Sequence, residues 1–167
     1  MTYLLKSILL FSTVIFTGLS AGLFYAWSVS VIPGTKKVAD LTYLQVMQSI
    51  NRAILNPAFF LIFFGSLILL GLATGFLFRS HPWAFGLMLA ATISYLLGTV
   101  GVTAWGNVPL NDQLEAMNIA AMSADKVSSF RDYYEAAWNG WHRVRTVFAL
   151  LSFITAATAL FIHIKKY

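Results

Sequence analysis

Four long stretches of the chain carry no charged residue: 7–35, 53–78, 80–111 and 146–164. A helix needs roughly 20 apolar residues to cross the ~30 Å hydrocarbon core of a bilayer, and each stretch is long enough to supply one. The expected fold is therefore all-α: a four-helix transmembrane bundle, with spans at about 7–32, 57–78, 83–105 and 143–164. The intervening segments, 33–56 and 106–142, hold most of the polar chemistry. They are read as helical polar connectors on one side of the bundle, and residues 1–167 as one membrane domain.

Composition supports this. Hydrophobic residues make up 59% of the chain and charged residues 10%, against about a quarter charged in soluble proteins. The net charge of +5 is no nucleic-acid footprint, because the basic residues flank spans, where they favour head groups and the cytoplasmic face. No cysteine is present, which excludes disulfides, thiolate metal sites and dithiol exchange with quinone. Lys6 and the apolar run behind it have some look of a signal peptide. The run continues to Pro33, beyond the 7–15 residues typical of a signal core, and is expected to be a retained span.

Within this frame, Pro33 and Gly34 read as a turn that ends the first span. Asp40 reads as the N-cap of an amphipathic helix over 41–54, and Asn56 with Pro57 as the start of the second span. Residues 79–82 read as a tight turn. The segment 106–112 reads as irregular, with Asp112 and Glu115 placed like a capping box for a new helix. A further helix over 124–141 is expected, able to run on into the fourth span. The pairs Gly18/Gly22 and Gly71/Gly75 are small-xxx-small pairs that let helix backbones approach in lipid.

An even number of spans puts both termini on one side, with Lys6, Arg79, Lys165 and Lys166 and no acid. The connector side carries seven Lys and Arg and all six carboxylates, but over longer loops. The density of positive charge places the termini in the cytoplasm of a bacterial inner membrane and the connectors outside. A weak internal duplication is also visible: Gln48–Arg52 can be laid over Asn139–Arg143, each following a span with a proline exit.

Three polar clusters are candidates for chemistry. Gln48, Asn51, Arg52 and Asn56 either form a solvated helix face with a cap or line a polar cavity at the bundle mouth. Asn107, Asn111 and Asp112 are either ordinary turn and cap residues or the lining of such a cavity. Trp138, Trp141, His142, Arg143 and Arg145 are either an interfacial aromatic belt with snorkelling arginines or a pocket where aromatic walls meet a titratable imidazole and fixed positive charge. On one helix Trp138, His142 and Arg145 share a face (i, i+4, i+7). No motif supports a metal: only His142 lies in the connectors, and no HxxxH or ExxH pair exists.

These runs carry a resemblance. Gly18 to Gly22 with Pro33 and Gly34, Met47 to Asn51, Asn56 with Pro57, Gly106 to Asp112, and Trp141 to Thr146 together resemble the anthrone-oxygenase-like membrane proteins, long catalogued as a domain of unknown function. The resemblance extends over the whole chain in order and implies an oxidoreductase, a monooxygenase acting on an anthrone- or quinol-like aromatic without metal or flavin. It implies His142 as general base, oriented by Asp112, and Arg145 or Arg52 as stabiliser of a phenolate-like oxygen. Asn107, Asn111, Gln48 and Asn51 would place donors, and Trp138 and Trp141 would stack the substrate. The implied partners are the bilayer and a hydrophobic aromatic small molecule, with no nucleic acid and with a homo-oligomer left open. The competing classes are a non-enzymatic small-molecule binder, a transporter and a structural membrane subunit.

Overall fold

Pro33 and Pro109, expected to close the first and third spans, instead lie inside helices. The computed structural model describes residues 3–78 and 81–165, which form five helices and no strand. Helix α1 runs over Tyr3–Ala26, widens to a π-helix at Trp27–Val31 and resumes over Ile32–Thr35. Helix α2 is Asp40–Ala53 and α3 is Pro57–Leu77. Helix α4 runs over Pro82–Ile93, is π-helical over Ser94–Gly101 and Thr103–Asn107, and ends with Val108–Glu115. Helix α5 is Ala124–Lys165, unbroken over 42 residues. Arg79, Ser80 and Lys166, part of the expected turn and of the terminal charge, lie outside the described residues.

The prolines explain two of the π segments. A proline inside a helix lacks an N–H, and its ring collides with the carbonyl four residues back. That carbonyl belongs to Val29 for Pro33 and to Trp105 for Pro109, each inside a π segment. The wider turn absorbs the ring, and the bonds shift to i→i+5: Ile32 N–H donates to Trp27 O and Val108 N–H to Thr103 O. The capping box expected at Asp112 and Glu115 is also corrected, because α4 passes through Asp112 and ends at Glu115. Asn56 does cap α3, accepting from Phe59 N–H at 3.0 Å.

Helices α1, α3, α4 and the second half of α5 are long and apolar enough to cross a membrane. Their surface is inverted relative to a soluble bundle. Leu4, Ile8, Phe11, Ile68, Leu72, Ile154 and Phe161 face outward, while Thr13, Thr17, Ser20, Ser66, Thr99 and Ser152 are buried. In lipid the apolar side chains gain little by turning inward, so packing relies on small residues and interhelical hydrogen bonds. Thr74 pairs with Thr92 at 2.7 Å, Ser20 with the Tyr95 hydroxyl at 2.7 Å, and Ser152 donates to Ala91 O at 2.9 Å.

The glycine expectation is corrected in part. A Cβ on Gly22, Gly71 or Gly75 would meet open space, and one on Gly18 would touch Phe153 at 3.0 Å. The close approaches are on α4: a Cβ on Gly98 would run into the Phe148 ring, and one on Gly106 would come within 2.5 Å of the Trp141 indole.

Helix α5 is about 63 Å long at 1.5 Å per residue, about twice the hydrocarbon thickness. Its first half therefore stands beyond the spans, where Tyr134 and Trp138 pack with Tyr43, Leu44 and Met47 of α2 and Leu110 and Leu114 of α4. Arg131 ties this layer together. Its guanidinium donates to Asp40 at 2.7 Å, to Val38 O at 2.6 Å, to Lys36 O at 3.2 Å and to Glu135 at 3.2 Å. It also lies 4.7 Å from the Tyr43 ring centroid, and burial pushes the Tyr43 phenol above its ordinary range. Gln48 donates to Leu114 O and Met117 O, satisfying carbonyls at the end of α4.

Candidate functional site

Between this layer and the spans lies a cavity of about 240 Å³, larger than the apolar cavity of about 150 Å³ that holds benzene. Its walls come from Phe24 and Trp27 of α1, Phe59, Phe60, Phe63 and Phe64 of α3, Val100 and Thr103 of α4, and Trp138 of α5; α2 closes it with Ile50, Asn51 and Ile54. Helix α3 packs on α4 chiefly along Pro82–Ile93 and leaves an opening further on. Phe60, Phe64, Ala104 and Val108, exposed on the outer surface of the spans, line that side. The mouth therefore opens on the apolar outer surface of the spans.

The polar end of the cavity is His142 with Arg145. His142 is fully buried, and its ring stacks on Trp138 with centroids 5.1 Å apart and planes 9° from parallel. Arg145 Nε and Nη2 approach His142 Nδ1 at 3.1 and 3.0 Å. A guanidinium can only donate, so Nδ1 is the acceptor and the ring proton sits on Nε2. Three acceptors surround that proton: Phe24 O at 3.1 Å, Ser28 Oγ at 3.0 Å and Thr146 Oγ1 at 3.3 Å. The two hydroxyls donate to their own i−4 carbonyls, Phe24 O and His142 O, which turns lone pairs toward Nε2–H.

Arg145 is 8% exposed. Its remaining contacts are Thr103 Oγ1 at 3.3 Å and the faces of Phe24 and Trp138, 4.8 and 5.1 Å from the ring centroids. Among the described residues no carboxylate pairs with it. An arginine at membrane depth costs about 2.5–3.5 kcal/mol on insertion scales, and here a ring nitrogen, a hydroxyl and two aromatic faces offset it in place of a counter-ion.

The candidates named from sequence divide. Asn51, Asn111, Trp138, His142 and Arg145 line the cavity together. Asn111 Oδ1 accepts from Trp138 Nε1 at 2.8 Å and from the Tyr134 hydroxyl at 3.2 Å, and Asn51 donates to the same hydroxyl at 3.2 Å. Asn107 is buried behind them and donates to Trp138 O at 3.1 Å. Gln48 is spent on the end of α4. Arg52 forms an exposed ion pair with Glu115 at 2.8 Å, away from the imidazole. Asp112 is exposed and does not orient His142; Arg145, Ser28 and Phe24 O do. Trp141 packs on Gly106 and is 45% exposed, outside the cavity wall. Phe24, Trp27, Ser28, Phe59, Phe63 and Thr103 were not named from sequence. For the aromatic residues among them the sole signal was the aromatic density of 57–64 and 24–27; Ser28 and Thr103 gave none. Among the described residues no three His, Asp or Glu side chains gather as a metal site.

Fold and cavity together define a four-span membrane protein with an aromatic-walled chamber at one end. Residues 59–155, more than half of the chain, match the anthrone oxygenase family, and the chain belongs to that family. No curated protein and no solved structure matched it.

Proposed function

We propose that the cavity takes a planar aromatic with an acidic C–H or O–H, of the anthrone or quinol kind, from the bilayer, and that the chain oxidises it with dioxygen without an organic cofactor. The observation that carries this is the buried Arg145 guanidinium, unpaired with any described carboxylate, at the base of an aromatic chamber. Such a cation stabilises an oxyanion far better than water does.

In this reading the substrate's oxygen competes with His142 Nδ1 for the Arg145 N–H groups. As the guanidinium turns to the oxygen, Nδ1 becomes free to take the proton. The methylene C–H breaks, its proton goes to Nδ1, and its electron pair delocalises onto the oxygen beside Arg145. Dioxygen then adds at the carbanion carbon, and the resulting hydroperoxide loses water to leave a carbonyl: anthrone plus dioxygen gives anthraquinone plus water. Trp138 and Phe63 hold the ring system, and Asn51 and Asn111 present amides along one edge. Asp112, Arg52, Gln48 and Trp141 have no part. The termini are assigned to the cytoplasm of a bacterial inner membrane and the connectors to the outer side.

The test is oxidation of anthrone by the purified protein in detergent after treatment with a chelator, followed by quinone absorbance. The expected result is turnover in wild type and a loss of about 100-fold or more in His142→Ala and Arg145→Ala. Equal rates in all three proteins contradict the roles. Anthrone binding without turnover supports a binder instead.

A further inference from the structure

We infer that Ser28 passes the proton taken up by His142 out to solvent through a second, polar groove on the far side of the imidazole. This rests on His142 acting as the base, and it adds a residue and an exit route to that reading.

The imidazole separates two spaces. Its Nδ1 edge and Arg145 face the apolar cavity. Its Nε2 edge faces Ser28, and Ser28 lines an open groove between α1 and α5 together with Lys36, Asp132, Glu135, Asn139 and Arg143. The groove has a direction. Ser28 and Lys36 are eight residues apart on α1, about 12 Å along a helix, with Lys36 at the outer end. On α5, Arg143 lies at the inner end and Asp132 at the outer end. Lys36 and Arg143 line the groove with Asp132 and Glu135, two cationic side chains against two anionic ones.

The base takes a proton before dioxygen adds and gives one to the peroxide afterwards, so between the two steps a path to solvent lets the imidazole exchange its charge state. The cavity side is walled mainly by Phe, Val and Trp, and its polar side chains Asn51, Asn111 and Thr103 lead to no groove. Of the three groups around Nε2–H, the Phe24 carbonyl cannot relay a proton, and Thr146 is buried. Ser28 is the half-exposed one. When Nδ1 takes the substrate proton, Nε2 releases its own to Ser28 Oγ, and the Ser28 hydroxyl gives its hydrogen to groove water. One N–H forms and one breaks, so the imidazole returns neutral with its proton on the other nitrogen. After dioxygen adds, Nδ1–H protonates the peroxide and Nε2 takes a proton back through Ser28, which restores the tautomer and leaves the net reaction without proton release. The π-helical segment Trp27–Val31 contains Ser28, and such segments recur at functional sites.

The experiment separates this from the oxidation itself. Without oxygen, the methylene protons of anthrone exchange for deuterium in D₂O if the protein abstracts them, and NMR follows the exchange. Anthrone affinity is read in parallel from tryptophan fluorescence quenching. The expected outcome is that Ser28→Ala slows exchange about tenfold or more with affinity within about twofold. Ser28→Thr, which keeps the hydroxyl, recovers most of the rate, and added imidazole buffer speeds Ser28→Ala in proportion to its concentration. A Ser28→Ala protein that exchanges at the wild-type rate, or one that is slow but unresponsive to both buffer and Ser28→Thr, overturns the relay and leaves the cavity reading standing. Wild type that shows no exchange above the uncatalysed rate removes His142 as base, and the relay with it.

Discussion

The guanidinium of Arg145 donates to a single atom, His142 Nδ1, from both Nε at 3.1 Å and Nη2 at 3.0 Å. The two residues lie three apart on α5, so one helix turn builds the contact without any long-range requirement. Long-range packing supplies the setting: Trp138 stacks the imidazole from one side, and Phe24 of α1 receives both the Nε2–H and the face of the guanidinium. The pair is thus a donor held in reserve. In the proposed reaction the substrate oxygen becomes a stronger acceptor than a neutral imidazole nitrogen as charge develops on it, and its capture of the guanidinium would free the lone pair proposed as base.

Asn111 holds the aromatic wall. Its Oδ1 accepts from both Trp138 Nε1 and the Tyr134 hydroxyl, so Asn111→Ala leaves two donors without a partner. The expected cost is about 1–3 kcal/mol, seen as a lower unfolding temperature in detergent and a shifted Trp138 emission. Asn111→Asp keeps the acceptor and is expected to lose less.

Arg131 fastens the first connector to α5. Arg131→Gln removes its contacts with Asp40, Val38 O and Lys36 O. Because Asp40 is 43% exposed, the loss is set at about 2–3 kcal/mol, below that of a fully buried pair. Hydrogen exchange is expected to rise in 36–53 while α3 keeps its protection. Uniform loosening of every helix contradicts a local clamp.

The glycines of α4 and α3 differ in what surrounds them. Gly106→Ala drives a methyl into the Trp141 indole and is expected to destabilise by about 1–3 kcal/mol. Gly71→Ala meets open space and gains about 0.5–1 kcal/mol of helix preference. Unfolding temperatures of the two variants are expected to move in opposite directions.

The cysteine-free chain allows its orientation to be read with single thiols. A membrane-impermeant maleimide is expected to label Ser123→Cys on intact cells and Lys165→Cys only after lysis. The reverse pattern places the connectors in the cytoplasm.

The spans were legible because charge is absent over four long runs, and lipid requires that. The face shared by Trp138, His142 and Arg145 followed from helical spacing alone. The prolines misled because their usual effect is to stop a helix; at Pro33 and Pro109 the helix widens to a π-helix instead. The glycine pairs misled for a related reason. The spacing of Gly71 and Gly75 is a property of one helix, whereas the close approach at Gly98 and Gly106 depends on which aromatic of α5 stands opposite. Asp112 was implied by the resemblance as the residue that orients His142, yet the continuous α4 leaves it exposed. Ser28 gave no signal, because a serine in an apolar span usually bonds its own i−4 carbonyl, as this one also does.

Whether Arg145 holds an oxyanion at the base of the aromatic chamber can be read from the visible spectrum of a hydroxyanthraquinone mixed with the purified protein near neutral pH. The bound dye is expected to show the red-shifted band of its phenolate in wild type and in Arg52→Met, and to bind at least about tenfold more weakly, without that band, in Arg145→Met. A dye that binds Arg145→Met as tightly as wild type, or that binds wild type with the spectrum of the neutral phenol, contradicts an oxyanion held there.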